Sequence, residues 1–204
     1  SDGTRYSDRV DPNLIARYKS AEGAAAYRRK YQRSWIRRLS NWRELQLVRS
    51  ALVRSGTAGR VLDCPCGAGR VTPVVLQRAS HVAAADLSPA MGEQARDALR
   101  PFGDRVEFQV ASADALPFPD DAFDTAVCHR LIHHIEVPEH RERIFAELAR
   151  VARRRVVMSF NDASTFKMRW QQKRRRERRR IAWTPDAVVA EAASAGLVCE
   201  PRSR

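Results

Sequence analysis

Val61-Leu62-Asp63-Cys64-Pro65-Cys66-Gly67-Ala68-Gly69-Arg70 is the most specific stretch of this sequence. It opens as a short apolar strand, Arg60 to Asp63, and runs into a glycine-containing turn from Cys66 to Gly69. Outward from it, short apolar strands and helices alternate. The pattern predicts a helix over 71–78 and strands over 81–86, 106–110, 123–128 and 155–160. Further helices are expected from about 90 to 99, with Ser88 as cap and Pro89 at its first position, and over 140–152. Thr184-Pro185-Asp186 caps a last helix ending at Ala195-Gly196, and Leu197 to Cys199 begins another strand. Parallel neighbours need a long crossover, so this order implies an α/β fold. It is a Rossmann-like, doubly wound, mostly parallel sheet with helices on both faces. Such sheets bind ligands at the carboxyl ends of their strands, where the strand order reverses.

The turn indicates what kind of ligand. Gly67 and Gly69 let the backbone approach a ligand closely and adopt angles that other residues avoid. A dinucleotide fingerprint would offer the same pair, but its third glycine would fall where Thr72 stands. Asp63 is the stronger discriminator. A carboxylate at the strand's end opposes a pyrophosphate and suits a ligand carrying an ammonium group. Its alternative role, a helix cap, is weakened because it lies too early for the simplest cap geometry.

This segment resembles the first motif of the class I S-adenosylmethionine (SAM) dependent methyltransferases, in which an acid precedes a Gly-x-Gly-x-Gly turn. The departure is Pro65 in place of the first glycine, which alters the expected turn geometry. Three later segments match the same family in order and spacing. Asp86 ends the second strand 19 residues after Gly67, placed to accept from both ribose hydroxyls. Leu87 and Met91 follow it, and Met91 is placed to pack on the adenine. Ala113-Asp114-Ala115-Leu116-Pro117-Phe118 resembles the third motif, in which an acid, here Asp114, and the next amide, Ala115, read the adenine edge. The passage from Pro119 to Ile135 resembles the branch that includes ubiquinone-type and small-molecule methyltransferases. The likeness covers roughly residues 59 to 160. It implies SAM as cofactor, held by Asp63, Cys64, Gly67, Gly69, Asp86, Leu87, Met91, Asp114, Ala115 and His129. Plainer readings stay open beside these: Asp86 as a strand-end acid, Asp114 as a turn residue.

His129 follows the fourth strand directly, where this fold faces the transferred methyl. It is the candidate general base, since an imidazole titrates near working pH; contact with the cofactor or packing under a lid is the alternative. His133 and His134 read as structural, with substrate contact as the sharper alternative. Residues 12–53 have helical periodicity, with Leu14, Ile15 and Tyr18, then Trp35, Leu39, Trp42, Leu45 and Val48 recurring at helical spacing. Residues 1–55 are thus expected to form an amino-terminal helical lid, and 56–204 a single SAM-binding domain. Tyr18 and Tyr27 are the lid's candidates for closing the site, against the plainer reading of core or surface aromatics. The family's folds end in an antiparallel hairpin. This sequence stops at Glu200 to Arg204, so that hairpin is expected to be incomplete.

Across the 204 residues, 44% hydrophobic and 30% charged content is globular. No stretch approaches the roughly 18 apolar residues that span a bilayer, and the amino end has no apolar signal core. The expectation is a cytoplasmic protein, peripheral at the inner membrane surface if it works on lipid. Cys64, Cys66, Cys128 and Cys199 read as reduced small hydrophobes; no second Cys or His pair has zinc-ligand spacing, and no metal is expected. The net charge of +13 attracts polyanions, and its arginines cluster from Arg28 to Arg38 and from Lys173 to Arg180. A solvated helix face is the alternative. Cytosine-C5 and Asn/Asp-Pro-Pro-Tyr signatures are absent, which argues weakly against nucleobase chemistry. Three functions are carried forward. The first is methyl transfer to an oxygen or nitrogen of an anionic small molecule, phosphorylated lipid or glycan. The second is RNA methylation, and the third is a non-catalytic SAM-fold binding module.

Overall fold

A computed structural model describes residues 34–164 and 183–200. Five parallel strands form the sheet: β1 Arg60–Asp63, β2 His81–Asp86, β3 Val106–Val110, β4 Phe123–Cys128 and β5 Ala152–Met158. Their spatial order is β3-β2-β1-β4-β5. From β1 the chain builds outward through β2 and β3, then returns to lay β4 on β1's other side. The order therefore reverses between β1 and β4, where Asp63 sits opposite Val127.

Burial on both faces explains the near-continuous burial of the three central strands, β2, β1 and β4. Leu62, Cys64, Ala83, Ala85, Ala126 and Cys128 point to one face. There they meet Ile144, Phe145, Leu148 and Val151 of helix α4, Pro138–Val151. Val61, Val82 and Val127 point to the other face, against Val48 and Leu52 of helix α1, Trp35–Arg54. The single-turn helix α2, Thr72–Val75, completes that layer. Helix α3, Pro89–Leu99, packs Ala95 and Leu99 against Ala84. The small side chains of β2 let its covering helices sit close. Helix α5, Pro185–Ser194, adds Val188 and Ala192 to the α4 face.

The caps form as their residues direct. Ser88 Oγ accepts from the Met91 amide at 3.2 Å with Pro89 at the first helical position, and Thr184 Oγ1 accepts from Ala187 N at 3.3 Å. Several expectations need correction. The helix expected over 71–78 closes after one turn. Helix α4 starts at Pro138, two residues early. Strand β5 begins at Ala152, because an edge strand tolerates the exposed Arg153, Arg154 and Arg155. Leu197 to Cys199 form no strand; Val198 is 94% exposed, with no apolar partner to hold it in a ladder. Helix α1 is present, but Trp35 and Trp42 on its expected apolar stripe are 72% and 57% exposed. Only its carboxyl-terminal half is anchored, through Val48 and Leu52. Tyr18, Tyr27, most of the first basic cluster and the whole of the second lie outside the described residues. No described helix is long and apolar enough to cross a membrane.

Candidate functional site

The carboxyl ends of β1, β2 and β4 bring the sequence-selected acids together around the glycine turn. Pro65 is reached through a cis peptide bond, and Gly67 and Gly69 behind it have φ values of 56° and 73°. That left-handed region favours glycine. The two glycines are needed for different reasons. A Cβ on Gly69 would press on Leu99 at 3.1 Å, so Gly69 lets the turn lie against α3. A Cβ on Gly67 would meet nothing within 4 Å, so that side of the turn is open space.

Asp63 is completely buried. The Thr72 hydroxyl donates to its Oδ2 at 2.7 Å, while Oδ1 has no hydrogen-bond partner among the described residues. Burial pushes its carboxyl up to about 7, with nearby Asp86 adding to the rise and the Thr72 hydrogen bond and Arg70 opposing it. A buried carboxylate with an empty acceptor is costly unless a cation or donor completes it. Asp86 is held by two amides: Gly67 N–H donates to Oδ2 at 2.8 Å and Ser88 N–H to Oδ1 at 2.9 Å. Burial raises its carboxyl too, and those two amides pull against the rise. Each oxygen keeps a second lone-pair direction for a hydroxyl donor.

Beyond β2, Leu87 is half-buried on the sheet core and Met91 packs on Ala68 behind the turn. Ser112 Oγ donates to Asp114 Oδ1 in a short hydrogen bond. The Ala115 amide, expected to read a ligand edge, donates to Ser112 O at 3.1 Å and closes the turn instead. The loop after it is pinned by Arg150, which reaches the Leu116 and Phe118 carbonyls and pairs with Glu147 and Asp120. Cys64, Cys66 and Cys128 are buried free thiols. Burial raises all three, Cys128 to about 12, so they stay protonated. Among the described residues no three His, Cys, Asp or Glu side chains are grouped to hold a metal ion.

His129 is engaged through both ring nitrogens. Its Nδ1 lies 2.9 Å from Ser159 Oγ, and its Nε2 lies 3.0 Å from Glu44 Oε1 and 3.1 Å from Arg70 Nη2. Ser159 Oγ also accepts from the Arg130 amide at 2.9 Å, which directs its hydroxyl hydrogen toward His129. Nε2–H then faces Glu44. Burial lowers the imidazole's affinity for a proton, against the pull of Glu44. His133 is buried, and its ring lies 4.2 Å from that of half-buried His134, on the short turn Ile132–His134.

Several residues here had not been singled out as site residues. Glu44 on α1 binds Arg70 at 3.0 Å, and Arg70 also donates to Asn41 Oδ1 at 2.6 Å. Burial works to raise the Glu44 carboxyl, but the His129 hydrogen bond and the charges of Arg70 and Arg130 hold it at about 2. Away from the turn, Arg141 is the largest fully buried side chain among the described residues. It grips Glu191 with two hydrogen bonds at 2.8 and 2.7 Å, donates to the Ile135 and Glu136 carbonyls, and stacks on Trp183. The sequence signal for Thr72 was a polar residue just past the glycines. Glu44 had only its place as an acid in a basic helix.

A glycine turn at a topological switch point, flanked by one acid ending β1 and another ending β2, stands where Rossmann-like folds bind nucleotides. Comparison with known proteins places the chain further. Residues 61–155 match the family described as a methyltransferase domain. A ubiquinone biosynthesis O-methyltransferase of Azoarcus sp. (strain BH72) is 34% identical over 97 residues, 47% of this chain and 42% of that protein. A demethylmenaquinone methyltransferase of Clavibacter sepedonicus is 44% identical over 82 residues, 39% of this chain and 33% of that protein. The chain spans less than half the length of the curated relatives it matches. In fold it is similar to the magnesium protoporphyrin IX methyltransferase of Synechocystis PCC 6803, crystallised with S-adenosylhomocysteine (SAH). The TM-score is 0.75 at 22% identity, over 91% of this chain and 89% of that one. The class I SAM-dependent methyltransferase fold expected from the sequence is the fold observed.

Proposed function

We propose that this protein is a SAM-dependent methyltransferase that methylates an oxygen or nitrogen of an anionic organic acceptor, a small molecule or a lipid- or glycan-linked one. The observation that carries the cofactor is Asp63. Its buried Oδ1 has no partner among the described residues, at the end of β1 and beside the open face of Gly67. An ammonium group satisfies that oxygen, and an adenosine ligand brings ribose hydroxyls for Asp86. Bound SAM supplies an activated methyl group. The chain's own residues bind, orient and exclude water. Leu87, Met91 and the Asp114–Ala115 turn line the adenine side in this reading, and His133 and His134 border the acceptor. His129 takes the acceptor's proton at Nε2 only when Glu44 withdraws and the ring hydrogen has moved from Nε2 to Nδ1. A small-molecule or lipid acceptor draws support from two relatives' names, which mention ubiquinone biosynthesis and demethylmenaquinone, and its anionic character from Arg130 after β4 and Arg70 beside His129.

Incubation with SAM labelled on the methyl group, against quinols, carboxylated porphyrins, anionic lipids, glycans and structured RNA, tests this reading. Label in an anionic small molecule, lipid or glycan is the expected result. Label in RNA replaces the acceptor class, and SAH binding without transfer to any acceptor leaves the non-catalytic module.

A further inference from the structure

Glu44 sits among three cationic or proton-donating side chains drawn from two separate parts of the sheet's carboxyl edge. Arg70 follows the glycine turn after β1; His129 and Arg130 follow β4. Glu44 Oε2 lies 3.0 Å from Arg70 Nη1, and Oε1 lies 3.0 Å from His129 Nε2 and 3.5 Å from Arg130 Nη1. Arg70 and His129 are themselves withdrawn from water, at 13% and 8% side-chain exposure. Arg130 holds a left-handed backbone conformation, φ 62°, which costs a non-glycine residue energy and persists where a chain must aim a side chain. Its direction is fixed further by the bond from its amide to Ser159 Oγ. The receptor is thus built into the rigid sheet edge.

The carboxylate filling it is not built in the same way. Glu44 belongs to the amino-terminal part of α1, where Trp35, Ile36, Leu39 and Trp42 are all exposed and the first apolar side chain on the core is half-buried Leu45. That part of the helix is held to the described body by the polar contacts of Asn41 and Glu44. A fixed, partly dehydrated cluster of donors prefers a carboxylate, and guanidinium groups match its geometry. Its occupant hangs on a helix segment with little apolar anchorage, and the cluster borders the switch point where ligands of this fold bind.

We propose that Arg70, His129 and Arg130 form a carboxylate-binding site, that Glu44 is its internal occupant in the ligand-free protein, and that a ligand carboxylate replaces it. Replacement passes the contact at His129 Nε2 from Glu44 to the ligand and releases the first turns of α1. The inference rests on the methyltransferase reading, because that reading supplies two carboxylate sources: the amino-acid end of the cofactor and the acceptor.

Glu44→Gln separates these sources. Calorimetry would compare wild type and E44Q with SAH, with 5′-methylthioadenosine, which lacks the amino-acid end, and with benzoate added to the methylthioadenosine complex. The expected result is that E44Q binds a carboxylate probe about tenfold tighter than wild type, with methylthioadenosine affinity unchanged. The double variant E44Q/R70Q loses the gain. A gain confined to SAH assigns the site to the cofactor, and one confined to benzoate assigns it to the acceptor. Equal or weaker binding of both probes by E44Q, with methylthioadenosine still bound, makes Glu44 a permanent strut and overturns the inference alone. Failure of wild type to bind either SAH or methylthioadenosine overturns the methyltransferase reading and this inference with it.

Discussion

Asp63 at the end of β1 and Glu44 on α1 are both carboxylates drawn out of water near one glycine turn, yet they end with opposite affinities for a proton. Asp63 has a single hydroxyl donor and rises to about 7; Glu44 has a histidine and two arginines and falls to about 2. Burial raises both, so the difference lies in what surrounds them. The protein completes the environment of Glu44 and leaves that of Asp63 unfinished. A folded protein keeps an unfinished buried acid at a cost in stability, and a binding site is where that cost is recovered, when a ligand supplies the missing charge.

Arg141 gives the comparison its limiting case, a buried charge whose partners all come from the chain. Replacing it by alanine should cost about 3 to 5 kcal/mol, because Glu191 and two carbonyls lose their donors together. Urea unfolding of Arg141→Ala against wild type measures this. A loss below about 1 kcal/mol would make the pair an ordinary surface contact and break the contrast.

The two acids should also divide the pH axis. Asp63 has a pKa of about 7 folded against 3.8 as the reference for the unfolded chain. Between those values the unfolded chain has released its proton while the folded one retains it. The Asp63 contribution to stability therefore falls as pH rises through that window, then levels off. Glu44 runs the other way. Its contribution is complete above 4.5 and is lost as pH falls toward 2. Relative to Asp63→Asn, wild type should lose stability from about pH 4 to 7. Relative to Glu44→Gln, it should lose stability from about pH 4.5 downward. Parallel pH profiles for wild type and either variant would remove that acid from the account.

How far the sequence could be read follows from the range of the contacts involved. Strands β1, β2 and β4 fall where expected because both of their faces are buried and their apolar runs end at turn residues, while β3, at the sheet edge, is legible from the alternation of Val106, Phe108 and Val110 with polar residues. The shift of β5 comes from arginines that an edge strand accepts and a periodicity reading does not. Asp63, Gly67 and Asp86 were legible because the turn is local and the spacing to the next strand end is set by one crossover helix. Thr72 stands inside the same stretch and as sequence marks only a missing glycine, though its hydroxyl donates to Asp63. Glu44 and His129 are 85 residues apart, and Arg141 and Glu191 are 50 apart. No periodicity or motif links residues at such separations; the fold alone brings them together. The exposed stripe of α1 carries a related lesson. Helical spacing of Trp35, Leu39 and Trp42 correctly marked a helix but not a buried face.

Titration of the protein with SAH by calorimetry, alongside Asp86→Ala, tests the central claim most directly. The account requires one site with affinity on the order of micromolar. It also requires a loss of about a hundredfold in the variant, as two hydrogen bonds to a charged group disappear. Absence of binding, or binding that Asp86→Ala leaves unchanged, would contradict a cofactor site at the β1–β4 switch point.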